Sequence, residues 1–251
     1  MVSLLPLTTR AEAQTAPPAT PEHTGLATLA RDTALDFTHF PRRTSTWVIL
    51  GVSGALAAAA HPIDDDVNRA LVGKGWADNV WKPGHIIGGP VMVAVPLGVY
   101  LAGRYIWAPA KDAPKANKMS HLGLDLMRAE IVNEAFTQAI KLSVRRTRPN
   151  GGKYSFPSGH ASATFALAAV LERHLGYRLA WPTVAIATYV GTSRLHDNVH
   201  FLSDVVFGAG LGTAVGWTVV GRHGRENYAF VPTPVPGGFA FTFTRMPHDH
   251  E

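Results

Sequence analysis

The chain has 251 residues, 23 Lys and Arg against 18 Asp and Glu for a formal net charge of +5, and no cysteine. The missing cysteines exclude disulfides, thiolate metal sites and a cysteine nucleophile. Charged residues make up 16% of the chain, against about 25% in ordinary soluble domains, while hydrophobic residues reach 46%. That balance suits tightly packed helices. The basic excess points to an anionic partner. Its basic residues do not interleave with aromatics and match no nucleic-acid reader motif, so nucleic acid is not the expected partner.

Residues 1–40 read as an N-terminal tail. Val2–Leu7 is a short apolar run, Ala11-Glu12-Ala13 is a small-x-small triplet, and Thr15–Pro21 is rich in Pro and Ala. Together they look like the end of a secretory signal or a flexible leader. Thr24–Phe40 is expected to form an amphipathic helix, with Leu26, Leu29, Ala30 and Phe37 on one face.

Residues 41–224 read as the core. Thr46–Ala60 carries no charge between Arg42-Arg43 and the acidic run Asp64-Asp65-Asp66, which is expected to be a solvated loop. A polar connector, Asp66–Lys82, holds Trp76 and Trp81. Pro83–Gly103 has no formal charge and is long enough to span a bilayer; Arg104, Lys111, Lys115 and Lys118 follow it. Ser120–Arg146 predicts a long helix, with Leu122, Leu126, Ala129, Val132, Phe136, Ala139 and Ile140 at three- and four-residue steps. Its opposite face carries Arg128, Glu130, Glu134 and Gln138. Asn150-Gly151-Gly152 is a turn. Helices are then predicted over Gly159–Leu171, Leu179–Thr192 and Phe201–Val220. Small residues crowd the last one (Gly208, Gly210, Gly212, Ala214, Gly216) and allow close backbone approach. Residues 225–251 read as a tail with a hairpin, Tyr228–Val231 and Phe239–Thr244 joined through Gly237-Gly238.

The expected fold is therefore all-α, an up-and-down bundle of about six core helices with a short C-terminal β-hairpin. Short loops make successive helices antiparallel. Arg148 follows the third core helix, Ser158 and His160 open the fourth, Arg194 closes the fifth, and His200 opens the sixth. That connectivity puts all of them at one end of the bundle.

Those residue types suit phosphate chemistry. Arg148 and Arg194 offer planar forks for phosphate oxygens, and Lys141 a point charge two helical turns before Arg148. Ser158 and Gly159 stand at a helix N-terminus, which favours an anion. His200 and Asp204, four residues apart, share a helix face. A carboxylate there can hold one imidazole nitrogen protonated and leave the other free to attack. His160 is then placed to protonate a leaving oxygen and later to activate water. Arg145 and Arg146 read as surface charges near the site mouth. His196, His200 and Asp204 share a stripe that could hold a metal, but Arg148 and Arg194 nearby would repel a cation.

In these positions the chain resembles the type-2 phosphatidic acid phosphatase superfamily, which includes bacterial class A acid phosphatases and vanadium haloperoxidases. The resemblance rests on Lys141 and Arg148-Pro149, then Pro157-Ser158-Gly159-His160, then Ser193-Arg194, His200 and Asp204, and its core runs from about residue 44 to 222. It implies a helical bundle and a phosphohistidine mechanism. His200 would be the nucleophile, Asp204 its orienting partner and His160 the general acid. Lys141, Arg148, Ser158, Gly159 and Arg194 would bind phosphate. No metal or other cofactor is implied, although vanadate could occupy the phosphate site.

The expected activity is a metal-independent phosphatase acting on a lipid phosphate or diphosphate in the bacterial cell envelope. The expected location is membrane-associated, with the site facing the periplasm. Arg42-Arg43, Lys111–Lys118, Arg173 and Arg222–Arg225 would lie on the opposite, cytoplasmic side. The alternatives are a soluble periplasmic acid phosphatase acting on small phosphoesters and a vanadate-dependent haloperoxidase.

Overall fold

The computed structural model describes residues 23–73, 75–107, 113–221, 227–235 and 238–246. Ten α-helical segments form among them, rather than about six. They are α1 (Leu26–His39), α2 (Thr44–Ala60), α3 (Asp64–Leu71), α4 (Asp78–Trp81), α5 (Pro83–Ile87), α6 (Pro90–Leu101), α7 (Ala113–Val144), α8 (Gly159–Leu175), α9 (Tyr177–His196) and α10 (Leu202–Val220). The six expected core helices are α2 and α6–α10; the others subdivide the stretches between them. The expected leader within residues 1–22, Lys111, Arg222–Arg225 and the Gly237 turn lie outside the described residues.

Several boundaries move for identifiable reasons. Pro83–Gly103 is not one helix. Gly88 and Gly89 separate α5 from α6, and Pro90 then opens α6, where its missing N–H costs nothing. Helix α6 continues through wider, π-type turns to Trp107. The connector 66–82 is largely helical: α2 passes through a tight turn into α3, so that Thr44–Leu71 is one 28-residue helical run. Helix α7 has 32 residues and starts seven residues earlier than its apolar periodicity suggests.

Helix α8 is the centre of the bundle. Nine of the ten residues from Ala161 to Val170 are buried, and α7, α9 and α10 pack around it. Helix α10 lies between α8 and α2. The shared core is formed by Leu126, Ala129 and Val132 of α7, Ala163, Leu167 and Val170 of α8, and Leu211, Ala214 and Val215 of α10.

The α8–α10 contact is made through backbone. A Cβ on Gly208 would stand 2.7 Å from the Ser158 carbonyl oxygen, and one on Gly216 2.6 Å from that of Ala166; at Gly212 it would run into the Ser162 carbonyl. These three glycines recur every four residues and form one stripe. Opposite them are Ser158, Ser162 and Ala166, also four apart. Beyond α10, strands β1 (Asn227–Val235) and β2 (Gly238–Met246) pair antiparallel, with Asn227 opposite Met246.

Helix α1 does not present the expected face. Leu26 is 73% exposed, whereas Thr33 and Asp36 are buried. Asp36 decides the orientation by accepting two hydrogen bonds from Arg128, at 2.9 and 2.8 Å. Arg128 also bonds Asp125, which His174 contacts at 2.8 Å. This network ties α1, α7 and α8 at the end of the bundle where α8 finishes.

Gly212→Ala should destabilise the fold in detergent, by the roughly 1–3 kcal/mol typical of overpacking, and so lower its unfolding temperature. Gly98→Ala, in α6 with no atom within 4 Å of the added methyl, should be neutral or stabilising. Equal effects would show that the α8–α10 spacing is not constrained.

Candidate active site

Connectivity brings six helix ends together. Helices α2, α7 and α9 finish where α6, α8 and α10 begin. The loop from Arg145 to Pro157 folds over this end. Arg148 N–H donates to the Gly152 carbonyl at 2.8 Å and Gly151 N–H to the Arg148 carbonyl at 2.9 Å, closing the turn expected at Asn150–Gly152. Lys141, in the last turn of α7, is buried and donates to the Tyr154 carbonyl at 2.8 Å. The Arg148 Nε donates to the Lys153 carbonyl, at 2.9 Å.

A cavity of about 870 Å³ opens at this end. Lys141, Arg148, Gly159, His160 and His200 all line it. The N–H groups of Gly159 and His160 begin α8 and have no intrahelical carbonyl to bond. Ser158 and Asp204 stand behind this wall. The Ser158 side chain caps α8, accepting from Ala161 N–H at 3.5 Å, and its own N–H donates to the Asp204 carbonyl at 3.0 Å. Arg194, buried in the last turn of α9, pairs with Asp197 at 2.8 Å. Its Nε is buried without a hydrogen-bond partner.

Asp204 is fully buried and held from several sides. One carboxylate oxygen accepts from Phe201 N–H at 2.8 Å and from the Ser155 hydroxyl; the other accepts from Arg146 at 2.7 Å. His200 Nδ1 lies 3.6 Å from the carboxylate. That is an electrostatic contact, longer than a hydrogen bond. It turns Nδ1 toward Asp204 and leaves Nε2 as the nitrogen on the cavity side. Burial depresses the His200 pKa below its ordinary value; the Asp204 carboxylate opposes this, and the Lys141 and Arg148 cations add to it. A neutral ring with a free lone pair is what a nucleophile needs.

His160 stacks on His85, with ring centroids 5.4 Å apart, and its Nε2 lies 3.3 Å from His85 Nδ1. Burial, then the nearby Arg194 guanidinium, pushes the His160 pKa down to about 3. A bound phosphate dianion would oppose that shift.

Two expectations are corrected here. Arg146 is not a free surface charge, and Asp64 is not part of a solvated loop. Asp64 is 2% exposed. Arg146 bridges the Asp204 and Asp64 carboxylates at 2.7 and 2.8 Å, and its guanidinium lies 4.1 Å from the Phe201 ring centroid. Asp64 also accepts from the N–H and hydroxyl of Ser203. Asp64 is thus the member of its acidic triplet that α10 recruits. No spacing rule picks out Arg146, Asp64 or Ser155, because each acts across a loop. His85 did carry a signal, as the one histidine in the apolar stretch 83–103. His196, on the stripe weighed and set aside above as a metal site, contacts Asp78 and the Leu71 carbonyl, both at 2.9 Å. Among the described residues no group of three or more His, Asp or Glu converges on a point.

Comparison with known proteins agrees with this architecture. Residues 122–228 match the family model described as the PAP2 superfamily. Over 80 residues the chain is 41% identical to a lipid A 1-phosphatase of Porphyromonas gingivalis, a match covering 30% of this chain and 18% of that one. Over 95 residues it is 36% identical to a decaprenylphosphoryl-5-phosphoribose phosphatase of Mycobacterium tuberculosis, covering 34% and 52%. The matched segments thus span about half or less of these curated relatives. The fold matches the crystal structure of a transmembrane PAP2 type phosphatidylglycerolphosphate phosphatase from Bacillus subtilis, with TM-score 0.53 and 21% identity over 69% of this chain and 92% of that one.

Asp204→Asn should drive the His200 pKa lower still, since the carboxylate is the main group holding a proton on that ring. An NMR titration of the labelled imidazole reads this directly. An unchanged value would mean that the 3.6 Å contact carries no coupling.

Proposed function

We propose, from the premise that the chain belongs to the PAP2 superfamily, that it is a membrane-embedded phosphatase acting on a lipid phosphate through a phosphohistidine at His200. The observation that carries this reading is the cavity wall. It sets two histidines and two cations beside a helix N-terminus, and continues into an apolar cleft.

Substrate phosphate would sit against Lys141, Arg148, Arg194 and the first N–H groups of α8. His200 Nε2 attacks phosphorus as the bond to the leaving oxygen breaks, and His160 donates its proton to that oxygen. Water then attacks the phosphohistidine while His160 takes up a proton, and inorganic phosphate leaves. The cations neutralise charge on the equatorial oxygens as the phosphoryl group passes between partners. Asp204 orients the His200 ring and stabilises its positive charge, and Arg146 in turn holds Asp204. Vanadate, a tetrahedral oxyanion able to become five-coordinate, would compete for the same place.

The membrane reading rests on where apolar side chains point. Among the described residues three helical runs are long and apolar enough to cross a bilayer: Thr44–Leu71, Pro90–Trp107 and Leu202–Val220. Two of them are mostly on the outside. Trp47 is 61% exposed, Val93 68% and Ile106 66%, and Val48, Val52, Leu56 and Leu101 are exposed as well. In water such a belt would drive association; in lipid it is the expected surface. Arg42, Arg43, Lys118 and Arg173 lie at the end away from the cavity, which supports an orientation with that end toward the cytoplasm and the site toward the periplasm.

Fractionated cells should release phosphate from a short-chain phosphatidate in the membrane fraction, and His200→Ala should abolish it. Rapid mixing with labelled substrate should trap acid-labile, base-stable phosphate on the wild-type protein. His160→Ala should cost about 10²–10⁴-fold on an alkyl ester, but far less on p-nitrophenyl phosphate, whose leaving group needs no proton. Activity confined to the soluble fraction, or no trapped intermediate, would overturn the reading.

A further inference from the structure

His85 has no part in the phosphate chemistry described above, yet helix α5 is built to bring it to the site. Glycines seat this helix against its neighbours. A Cβ on Gly88 would stand 2.6 Å from Val190 Cγ1 and 2.8 Å from His160 Cδ2, and one on Gly84 would run into the Ser193 side chain. The backbone on both sides of His85 therefore lies hard against α8 and α9. The His85 and His160 rings end near parallel, at 15°, and offset so that nitrogen faces nitrogen. His85 Nδ1 is 3.3 Å from His160 Nε2. Such a contact needs a proton on one nitrogen and a lone pair on the other, so the two rings share a proton.

The pair also joins two spaces. His160 lines the 870 Å³ cavity. His85 is exposed and lines a second pocket, of about 380 Å³, with Asp78, Lys82, Ile86, His196 and Asp197. Both carboxylates there have partners, Asp78 in His196 and Asp197 in Arg194. His85 is the member of that pocket that reaches His160. With Nε2 turned to His85, His160 has Nδ1 left for a leaving oxygen. As an acid on its own the ring is badly placed. Burial, the Arg194 cation and the His85 and His200 rings push its pKa down to about 3. A neutral imidazole that takes a proton at one nitrogen while giving one at the other avoids carrying that charge.

We propose that His85 relays protons between the outer pocket and His160, and so is a positioning residue for the general acid. The proposal rests on the phosphatase reading above and adds a residue to its proton path. His85 is loaded by water in the outer pocket. In the first step His85 Nδ1 gives its proton to His160 Nε2 while His160 Nδ1 gives one to the leaving oxygen, as the bond from that oxygen to phosphorus breaks. Both rings are then neutral. In the second step the attacking water loses a proton to His160 Nδ1, Nε2 returns one to His85 Nδ1, and the pair is as it began. The positive charge rests on the exposed ring and never on the buried one.

The test measures kcat/KM for the full chain in detergent micelles, on a short-chain phosphatidate and on p-nitrophenyl phosphate, whose leaving group needs no proton. Both values report the chain only as far as transfer to His200. Their ratio is internal to each protein, so partly unfolded variants do not distort it. His85→Gln keeps a hydrogen-bonding partner for His160 but cannot pass a proton, and His85→Ala removes the ring. Each should lose about tenfold or more on phosphatidate and little on p-nitrophenyl phosphate. The alkaline limb of the phosphatidate profile should move to lower pH, because His160 must then hold the proton itself. Added imidazole should restore His85→Ala, whereas pyrazole, of the same shape but hardly basic, should not. Equal losses on the two esters, an unmoved alkaline limb, full activity in His85→Gln, or rescue by pyrazole as good as by imidazole would each overturn the relay and leave a ring that only packs, while the phosphatase reading stands. No release by the wild type from either ester overturns both.

Discussion

The constraint on which the rest of this structure depends is the backbone contact between α8 and α10. Gly208, Gly212 and Gly216 sit against the carbonyls of Ser158, Ser162 and Ala166. Without side chains between them the two helices approach to the limit of their backbones. That approach lets the Ser158 N–H reach the Asp204 carbonyl. The N-terminus of α8, where an anion is favoured, is thereby joined to the turn that carries His200 and Asp204. A methyl in that seam would push apart the two halves of the site, so packing and chemistry are set by one contact.

Polar networks close both ends of the bundle. At the cavity end, Arg146 is shared by Asp204 and Asp64, both almost fully buried. Two buried carboxylates so close would repel one another without the guanidinium, and removing one partner of such a set strands a charge. The Asp64 link fastens the run of α2 and α3 to the start of α10. At the other end Arg128 joins Asp36 and Asp125. Between the ends the interior is mostly apolar, apart from small polar side chains such as Asn133 and Thr137, which bond Ser162, and on α2 and α6 the bundle is apolar outside as well. A core of that kind does not distinguish inside from outside by hydrophobicity, so small residues and end networks define the packing.

The cavity inherits its character from three helices. Helix α8 contributes an N-terminus and a histidine, α6 an apolar wall, and α7 a line of polar groups that ends on Lys141. On the proposed reading, an amphiphile would lie with its phosphate toward the loops and its tail along α6. His85 belongs to the same arrangement: the break at Gly88-Gly89 separates α5 from α6 and lays the His85 ring on His160.

Much of this was legible in the sequence. Apolar periodicity and turn residues located helices α2 and α6–α10 to within a few residues, apart from the early start of α7 and the break before α6. Because side chains follow from helix ends and short loops, the spacing of Lys141, Arg148, His160, Arg194 and His200 was enough to gather them at one end. The small residues of α10 announced a close contact, though not its partner. What only the tertiary structure decided were interactions between groups far apart in the chain. Asp64 reads as one of three equivalent aspartates until Arg146 and Ser203 meet it. Glu130 and Glu134 read as a solvated face until α6 closes a cleft over them. Asp36 turns α1 against its own apolar pattern because Arg128 lies within reach. In each case periodicity measures the neighbours along the helix, whereas the side chain's role is set by a charge or a wall from another helix, which no local pattern encodes.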